Sequence, residues 1–206
     1  MSCMEKLYHL LENARMHNLT QSVLSFGRQR CMLETEAFLL SNATGRVLDV
    51  GGGTNRYGHI FKNNYFVLGD LNTAYVSYAK QKDARLNAVV FDATRMPFKK
   101  GFFDTIISVG LFHHMSDSDV CRSIDECLAI LALNGKLVFI DAFLPHSRYD
   151  FIVWFLAKID RGRYMRALPN FLKVIETKNR SIRFKQIENS YPWNLVGFVI
   201  NNVEKD

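Results

Sequence analysis

The sequence predicts an α/β fold built on a doubly wound, largely parallel sheet, and three observations carry the prediction. Short apolar runs end in an acid at Asp49, Asp70 and Asp92, as strands buried on both faces do when they present a polar group at their carboxyl ends. The first run leads at once into Gly51, Gly52 and Gly53, which let the backbone turn sharply against a ligand. Further along, the apolar spacing alternates between strand-like runs and helical repeats, as a sheet wrapped by helices requires.

Taken in order, residues 4–16 and 21–40 read as helices, with Leu7, Leu10 and Leu11 and then Met32, Leu33, Phe38 and Leu39 as apolar faces. Val47, Leu48 and Val50 make the first strand, and residues 65–69 make the second, ending in Asp70. Residues 88–91 form the third strand, before Asp92 and Ala93. The fourth opens at Phe103 and runs toward Gly110, His113 and His114, with Asp104 at its start read as structural. Residues 116–131 place Val120, Ile124, Leu128 and Leu131 at spacings of three and four, with Ser116 or Asp117 as N-cap and Asn134 and Gly135 as the stop signal. Residues 136–143 form a fifth strand with Asp141 near its end, and residues 181–186 and 196–199 supply the last two.

The glycine turn argues against two nucleotide chemistries. A dinucleotide fingerprint needs a third small residue where this chain has Arg56, which disfavours a nicotinamide-dependent oxidoreductase, and no Gly-Lys-Ser/Thr follows to make a P-loop. The segment instead resembles motif I of the class I S-adenosylmethionine-dependent methyltransferases, Asp/Glu-x-Gly-x-Gly-x-Gly, laid on Asp49, Gly51, Gly53 and Asn55. Asn55 replaces the last glycine, and asparagine is among the residues that best tolerate positive φ. The resemblance covers mainly residues 45–143 and is nearest the small-molecule branch that includes the ubiquinone and menaquinone biosynthesis methyltransferases.

The resemblance implies a Rossmann-like, mostly parallel seven-stranded sheet with a final antiparallel strand and an N-terminal helical cap. It implies S-adenosyl-L-methionine as cofactor and S-adenosyl-L-homocysteine as product. Asp70 then binds ribose hydroxyls and Asp92 with Ala93 the adenine edge, while Asp49, Gly51, Gly52, Gly53, Asn55, Leu71 and Val109 complete the cofactor shell. An ordinary turn acid is the plain alternative for Asp92. His113, His114 and Asp141 are the titratable groups at the right rim for a general base, with His146 and Tyr149 as weaker candidates; packing or capping is the alternative for the paired histidines. A methyltransferase-like cofactor-binding protein without catalysis is the alternative, motivated by Asn55 and by the absence of a sure base, with Asp70 and Asp92 weighing against it.

Composition fits one domain over residues 1–206, divided into a helical cap (1–43), a cofactor-binding core (44–143) and acceptor-side elements (144–206). The chain is 48% hydrophobic and lacks linker-like or low-complexity tracts. Glu5, Lys6 and Glu12 interrupt any signal-peptide core, and no apolar run reaches the roughly 18 residues of a membrane span, so a cytoplasmic location is expected. Cys3, Cys31, Cys121 and Cys127 lack paired spacing and are expected as thiols, and no cluster has metal-ligand spacing.

The formal net charge is +6, and residues 158–185 carry nine Lys/Arg against Asp160 and Glu176. Such a stretch suits a phosphate- or carboxylate-bearing acceptor, an anionic membrane surface or nucleic acid, or serves only as a solvated face. No aromatic interleaving supports RNA, so a small acidic or lipid- or glycan-linked acceptor ranks above an RNA methyltransferase. Just upstream, residues 151–157 are uncharged and apolar, read as a buried helix or, alternatively, as an apolar pocket wall or a greasy surface for a lipid-linked acceptor beside the basic stretch.

Overall fold

The computed structural model describes residues 29–145, 150–151, 154, 164–176, 181–191 and 193–202. Its seven strands are β1 (Val47–Val50), β2 (Phe66–Asp70), β3 (Asn87–Val90), β4 (Phe103–Val109), β5 (Leu131–Ala142), β6 (Ile182–Gln186) and β7 (Leu195–Asn201). They form one sheet in the order β3-β2-β1-β4-β5-β7-β6. β1 to β5 pair in parallel, whereas β7 runs antiparallel to both neighbours. The strand order reverses between β1 and β4, which opens a crevice at their carboxyl ends.

Helices α1 (Gln29–Asn42), α2 (Thr73–Lys82), α3 (Asp117–Ile130) and α4 (Leu168–Glu176) cover the two faces. Side-chain alternation along each strand feeds both layers. Leu48, Val50, Ile106, Phe139 and Phe198 pack on one face against Val120 and Ile124 of α3 and Phe171 of α4. Val47, Leu68, Ile107, Val138 and Val199 pack on the other against Leu39 of α1 and Val76 and Ala79 of α2. Each such burial contributes about 1.5–3 kcal/mol. Phe139 and Phe198 stack with centroids 4.6 Å apart, joining β5 to β7 across their antiparallel ladder.

The helix starts follow capping chemistry. Ser116 Oγ accepts from the Asp119 amide at 3.2 Å to open α3, and Asp117 and Asp119 lie in its first turn, where the dipole favours acids. Asn72 Oδ1 accepts from the Ala74 amide at 2.9 Å to open α2. Asp104 is structural, as expected: it takes a bidentate pair from Arg46, at 3.0 Å from Nε and 2.9 Å from Nη2, and also the Arg46 amide at 2.7 Å.

The structure departs from the sequence reading at three places. Asn134 and Gly135 do not close α3, which ends at Ile130; they lie inside β5, where Asn134 takes a φ of 63°. Between the pairs Phe103↔Leu131 and Thr105↔Lys136 the β4–β5 register shifts, and the displaced backbone is caught by Asn202, whose carbonyl accepts from Asn134 and whose amide donates to Gly135. α2 and α4 have no counterpart among the predicted elements. A buried helix over residues 151–157 is contradicted at its two described members, Phe151 and Trp154, which are both exposed. Residues 4–16 and 21–28 of the predicted N-terminal helices lie outside the described residues, as does Cys3. Cys31, Cys121 and Cys127 are thiols. No helix among the described residues is long and apolar enough to cross a membrane.

Candidate active site

The glycine turn leaves the end of β1 at the crevice. Gly51 and Gly53 take positive φ (72° and 57°), and Asn55 follows at 70°, so the backbone curls through left-handed conformations. Gly51 and Gly52 amides donate to the Gly69 carbonyl at 2.8 and 3.0 Å, pinning the turn to β2. A Cβ on Gly52 would lie 2.6 Å from Asp49 Oδ2, so only glycine lets the turn lie over that carboxylate.

Asp49 is 1% exposed, and neither of its oxygens has a hydrogen-bond partner among the described residues. Burial, reinforced by the neighbouring Asp70 charge, pushes its carboxyl up to about 8. A positively charged group brought under the turn would satisfy it, which is a direct fit to a cationic ligand.

Asp70 ends β2 and ties the turn to the next loop. Its Oδ2 accepts from the Gly53 amide at 2.9 Å and its Oδ1 from the Asn72 amide at 2.8 Å. Burial raises its carboxyl above the usual range while these two N–H groups work the other way. Each oxygen keeps a second lone pair for a ligand hydroxyl. Leu71, next to it, is exposed. Asp92 is exposed beyond β3, and its Oδ1 accepts from the amide and the hydroxyl of Thr94, both at 2.8 Å, which holds its carboxyl below the usual range. It is therefore a turn acid in its own right, while Ala93 beside it is half-buried. Val109 is half-buried at the end of β4.

The carboxyl ends of β4 and β5 meet in a tight polar knot. Asp141, 2% exposed, accepts the Phe112 amide at 2.7 Å and the His113 amide at 3.2 Å on Oδ2, and the Ala142 amide at 2.7 Å on Oδ1. Oδ1 also bonds His113 Nδ1. Asp141 is thus an orienting carboxylate under the loop rather than an exposed base. His113 is 8% exposed, and the exposed His114 ring lies 4.0 Å from it, centroid to centroid. With Nδ1 bonded to a buried carboxylate, the His113 ring is held in one orientation at the end of β4.

Arg166 holds the same loop from above. Its Nη1 donates to the Phe112 carbonyl at 3.2 Å, its Nη2 to the Met115 carbonyl at 2.6 Å and its Nε to Asp117 Oδ1 at 2.6 Å. The Tyr164 amide donates to the His113 carbonyl at 3.1 Å. Sequence reasoning places Arg166 only within a basic stretch, and no local spacing marks it as the partner of residues some fifty positions earlier. Ser116, Asp117, Ser118, Tyr164, Met165 and Arg166 border an open depression of about 470 Å³ beside this knot. His146 and Tyr149 lie outside the described residues.

The structure thus gathers Asp49, the glycine turn and Asp70 at one end of the crevice, and His113, His114 and Asp141 at the ends of β4 and β5. A methyltransferase-domain family model matches residues 48–139, the stretch that carries all of these groups except Asp141. The demethylmenaquinone methyltransferase of Mycobacterium sp. (strain KMS) is 30% identical over 166 residues, covering 79% of this chain and 67% of that protein. That of Beutenbergia cavernae is 32% identical over 136 residues, 64% of this chain, and the match spans only 55% of its own length. Human probable tRNA methyltransferase 9B is 28% identical over 133 residues, 62% of this chain and 29% of that protein. Among solved structures, a Thermotoga maritima S-adenosylmethionine-dependent methyltransferase described as a possible histamine N-methyltransferase superposes with a TM-score of 0.71 at 16% identity, covering 94% of this chain and 98% of that one. The putative methyltransferase bound to the Haloferax volcanii Trm112 activator gives 0.70 at 13% identity, covering 90% and 95%. At such identities these two show a shared fold.

Proposed function

Because the chain belongs to the class I S-adenosylmethionine-dependent methyltransferases, we propose that it methylates a small acceptor, acidic or lipid- or glycan-linked, at the rim formed by β4 and β5. The observation that carries the reading is the unpartnered carboxylate of Asp49, buried beneath a left-handed glycine turn that Asp70 braces. When bound, S-adenosylmethionine supplies an electrophilic methyl group on a cationic sulfonium.

In this reading Gly51, Gly52, Gly53 and Asn55 form the backbone cradle, with the Asp49 charge behind it. Asp70 offers its remaining lone pairs to ribose hydroxyls. Asp92 and Ala93 border the adenine edge, and Leu71 and Val109 complete the cofactor shell. His113, with Nδ1 held by Asp141, takes a proton from an acceptor hydroxyl or acidic carbon on Nε2, and Asp141 stabilises the imidazolium that results. Holding the acceptor in line with the methyl carbon supplies much of the rate. Exposed Lys173, Arg183 and Lys185 on the acceptor side favour an anionic acceptor.

An RNA acceptor is the second reading, favoured by the likeness to the probable tRNA methyltransferase and by the net charge of +6. Calorimetric titration of the full chain with S-adenosylmethionine, S-adenosylhomocysteine and NAD, beside thermal melts, tests the cofactor assignment. Binding of both adenosyl compounds and not of NAD is expected. Binding of neither would defeat the reading.

A further inference from the structure

We propose that the protein rests on an anionic lipid surface through an aromatic rim at the β5–β7 side of its sheet. The starting observation is where the large aromatic side chains lie. The chain has two tryptophans, Trp154 and Trp193, and both fall at this rim with Phe151 and Tyr191. The Trp154 amide donates to the Asp150 carbonyl at 3.1 Å, a helical turn that puts Phe151 and Trp154, three residues apart, on one face. The Tyr191 hydroxyl donates to Asp150 Oδ1 at 3.4 Å, which brings the loop between β6 and β7 alongside. Phe151 is 73% exposed, Tyr191 61% and Trp154 36%.

The rim is continuous with the candidate active site. Asn194 Nδ2 donates to the carbonyls of Phe143 at 3.3 Å and Leu144 at 3.4 Å, just past the end of β5. The Leu144 amide in turn donates to the Arg166 carbonyl at 2.8 Å. The aromatic groups therefore stand on the same edge of the sheet as His113 and Asp141. Exposed Tyr65 and Leu133 lie toward the opposite edge, whereas Leu71, Val90 and Tyr164 are exposed at the carboxyl edge outside this cluster.

Charge selects the occupant. The sequence between residues 158 and 185, which follows the aromatic turn, carries nine Lys/Arg against Asp160 and Glu176. Of its four described basic members, Lys173, Arg183 and Lys185 are exposed while Arg166 is held by Asp117 and two carbonyls, and Phe184 is 51% exposed. Tryptophan and tyrosine favour the headgroup level of a bilayer, and basic residues nearby draw anionic lipid. A partner protein of ordinary surface would not require both features together. The proposal deepens the acceptor reading, because a lipid-linked acceptor would then enter from the surface on which the site opens. Vesicle binding is measured without methyl transfer, so a failure here leaves the cofactor titration above to be judged separately.

The test uses the full chain and vesicles of phosphatidylcholine alone or with about 30% phosphatidylglycerol, read by co-sedimentation and by tryptophan emission. Partition at least about tenfold stronger to the anionic vesicles, with a blue-shifted emission, is expected. The combined variant Phe151→Ser, Trp154→Ser, Tyr191→Ser should lose most of that partition while S-adenosylhomocysteine still raises its melting temperature, and Leu133→Ser should keep it. Should the combined variant fail to fold, quenching of the unmodified protein's tryptophans by brominated anionic lipid replaces it. The proposal is overturned by absence of partition, by equal partition of the combined variant, by absence of quenching, by a blue shift arising from self-association without vesicles, or by binding to single-stranded RNA in place of vesicles.

Discussion

Replacing Asp49 by asparagine should make the protein more stable and a weaker cofactor binder, and the gain should depend on pH in a definite way. Burial and the Asp70 charge lift this carboxyl from 3.8 to about 8 in the folded chain. The unfolded chain, with an ordinary carboxyl, gives up its proton near 4, so between pH ~4 and ~8 the folded state holds one proton more. Stability tied to Asp49 is therefore fully present below pH ~4 and falls as pH rises toward ~8, at about 1.4 kcal/mol per pH unit. By pH 7 the loss is on the order of 4 kcal/mol, a large part of the ~5–15 kcal/mol that holds a domain together.

Asp49→Asn removes that titration while nearly conserving shape. Urea unfolding of both proteins without ligand, at about pH 5, 6, 7 and 8, should show a stability gap that opens steadily with pH in favour of the variant. The parent should also release a proton on binding S-adenosylmethionine, because a cation beside Asp49 favours its ionised form. Calorimetry in buffers of different ionisation enthalpy reads that release, and the variant should lack it. A gap that stays constant with pH, or a variant less stable than its parent at pH 8, would refute the reasoning.

Asp141→Asn turns one accepting oxygen into a donor, so two of the four N–H groups it serves lose their bond; at about 1.5–3 kcal/mol each, a thermal melt should fall by at least ~6 °C, and a shift under ~2 °C would show that the knot is dispensable. Asp70→Asn should weaken S-adenosylhomocysteine binding by about ten- to hundredfold in calorimetry, with a melt lowered less than in Asp141→Asn because one N–H bond is lost rather than two, and unchanged affinity would remove Asp70 from the ribose site. Gly51→Ala forces a Cβ to 2.9 Å from Leu111 Cδ1 at a φ of 72°. It should cost about 1–2 kcal/mol, seen as a melt lowered by ~2–8 °C; an unshifted melt would mean that the turn relaxes freely.

The parallel core was legible because burial on both faces leaves little choice of residue. Val47 to Val50, Phe66 to Gly69 and Phe103 to Val109 read as strands without help from distant sequence. The acids that end two of them announced the crevice for the same reason, since a carboxylate in an apolar run needs a purpose. α2 was hidden because only Tyr75, Val76 and Ala79 of its ten residues are buried, too few to make a period. Asn134 and Gly135 misled because their left-handed preference stops helices and bends strands equally well, and only the distant Asn202 decides between the two. The same limit applies at the knot. Asp141 looks like any rim acid in sequence, and its burden of backbone amides is set by the β4–β5 pairing.

The three bonds of Arg166 bear on how freely this architecture can be recombined. Its acceptors, the Phe112 and Met115 carbonyls and Asp117, all belong to the loop that carries the paired histidines. The segment after β5 and the loop that carries the paired histidines are thereby stitched into one inheritance unit. Transplanting the region after β5 from a relative would leave Asp117 and two carbonyls facing a stranger unless a guanidinium arrived at the same place. A chimera designed to borrow a new acceptor should keep residues 164–167 from the host and begin its foreign sequence beyond them.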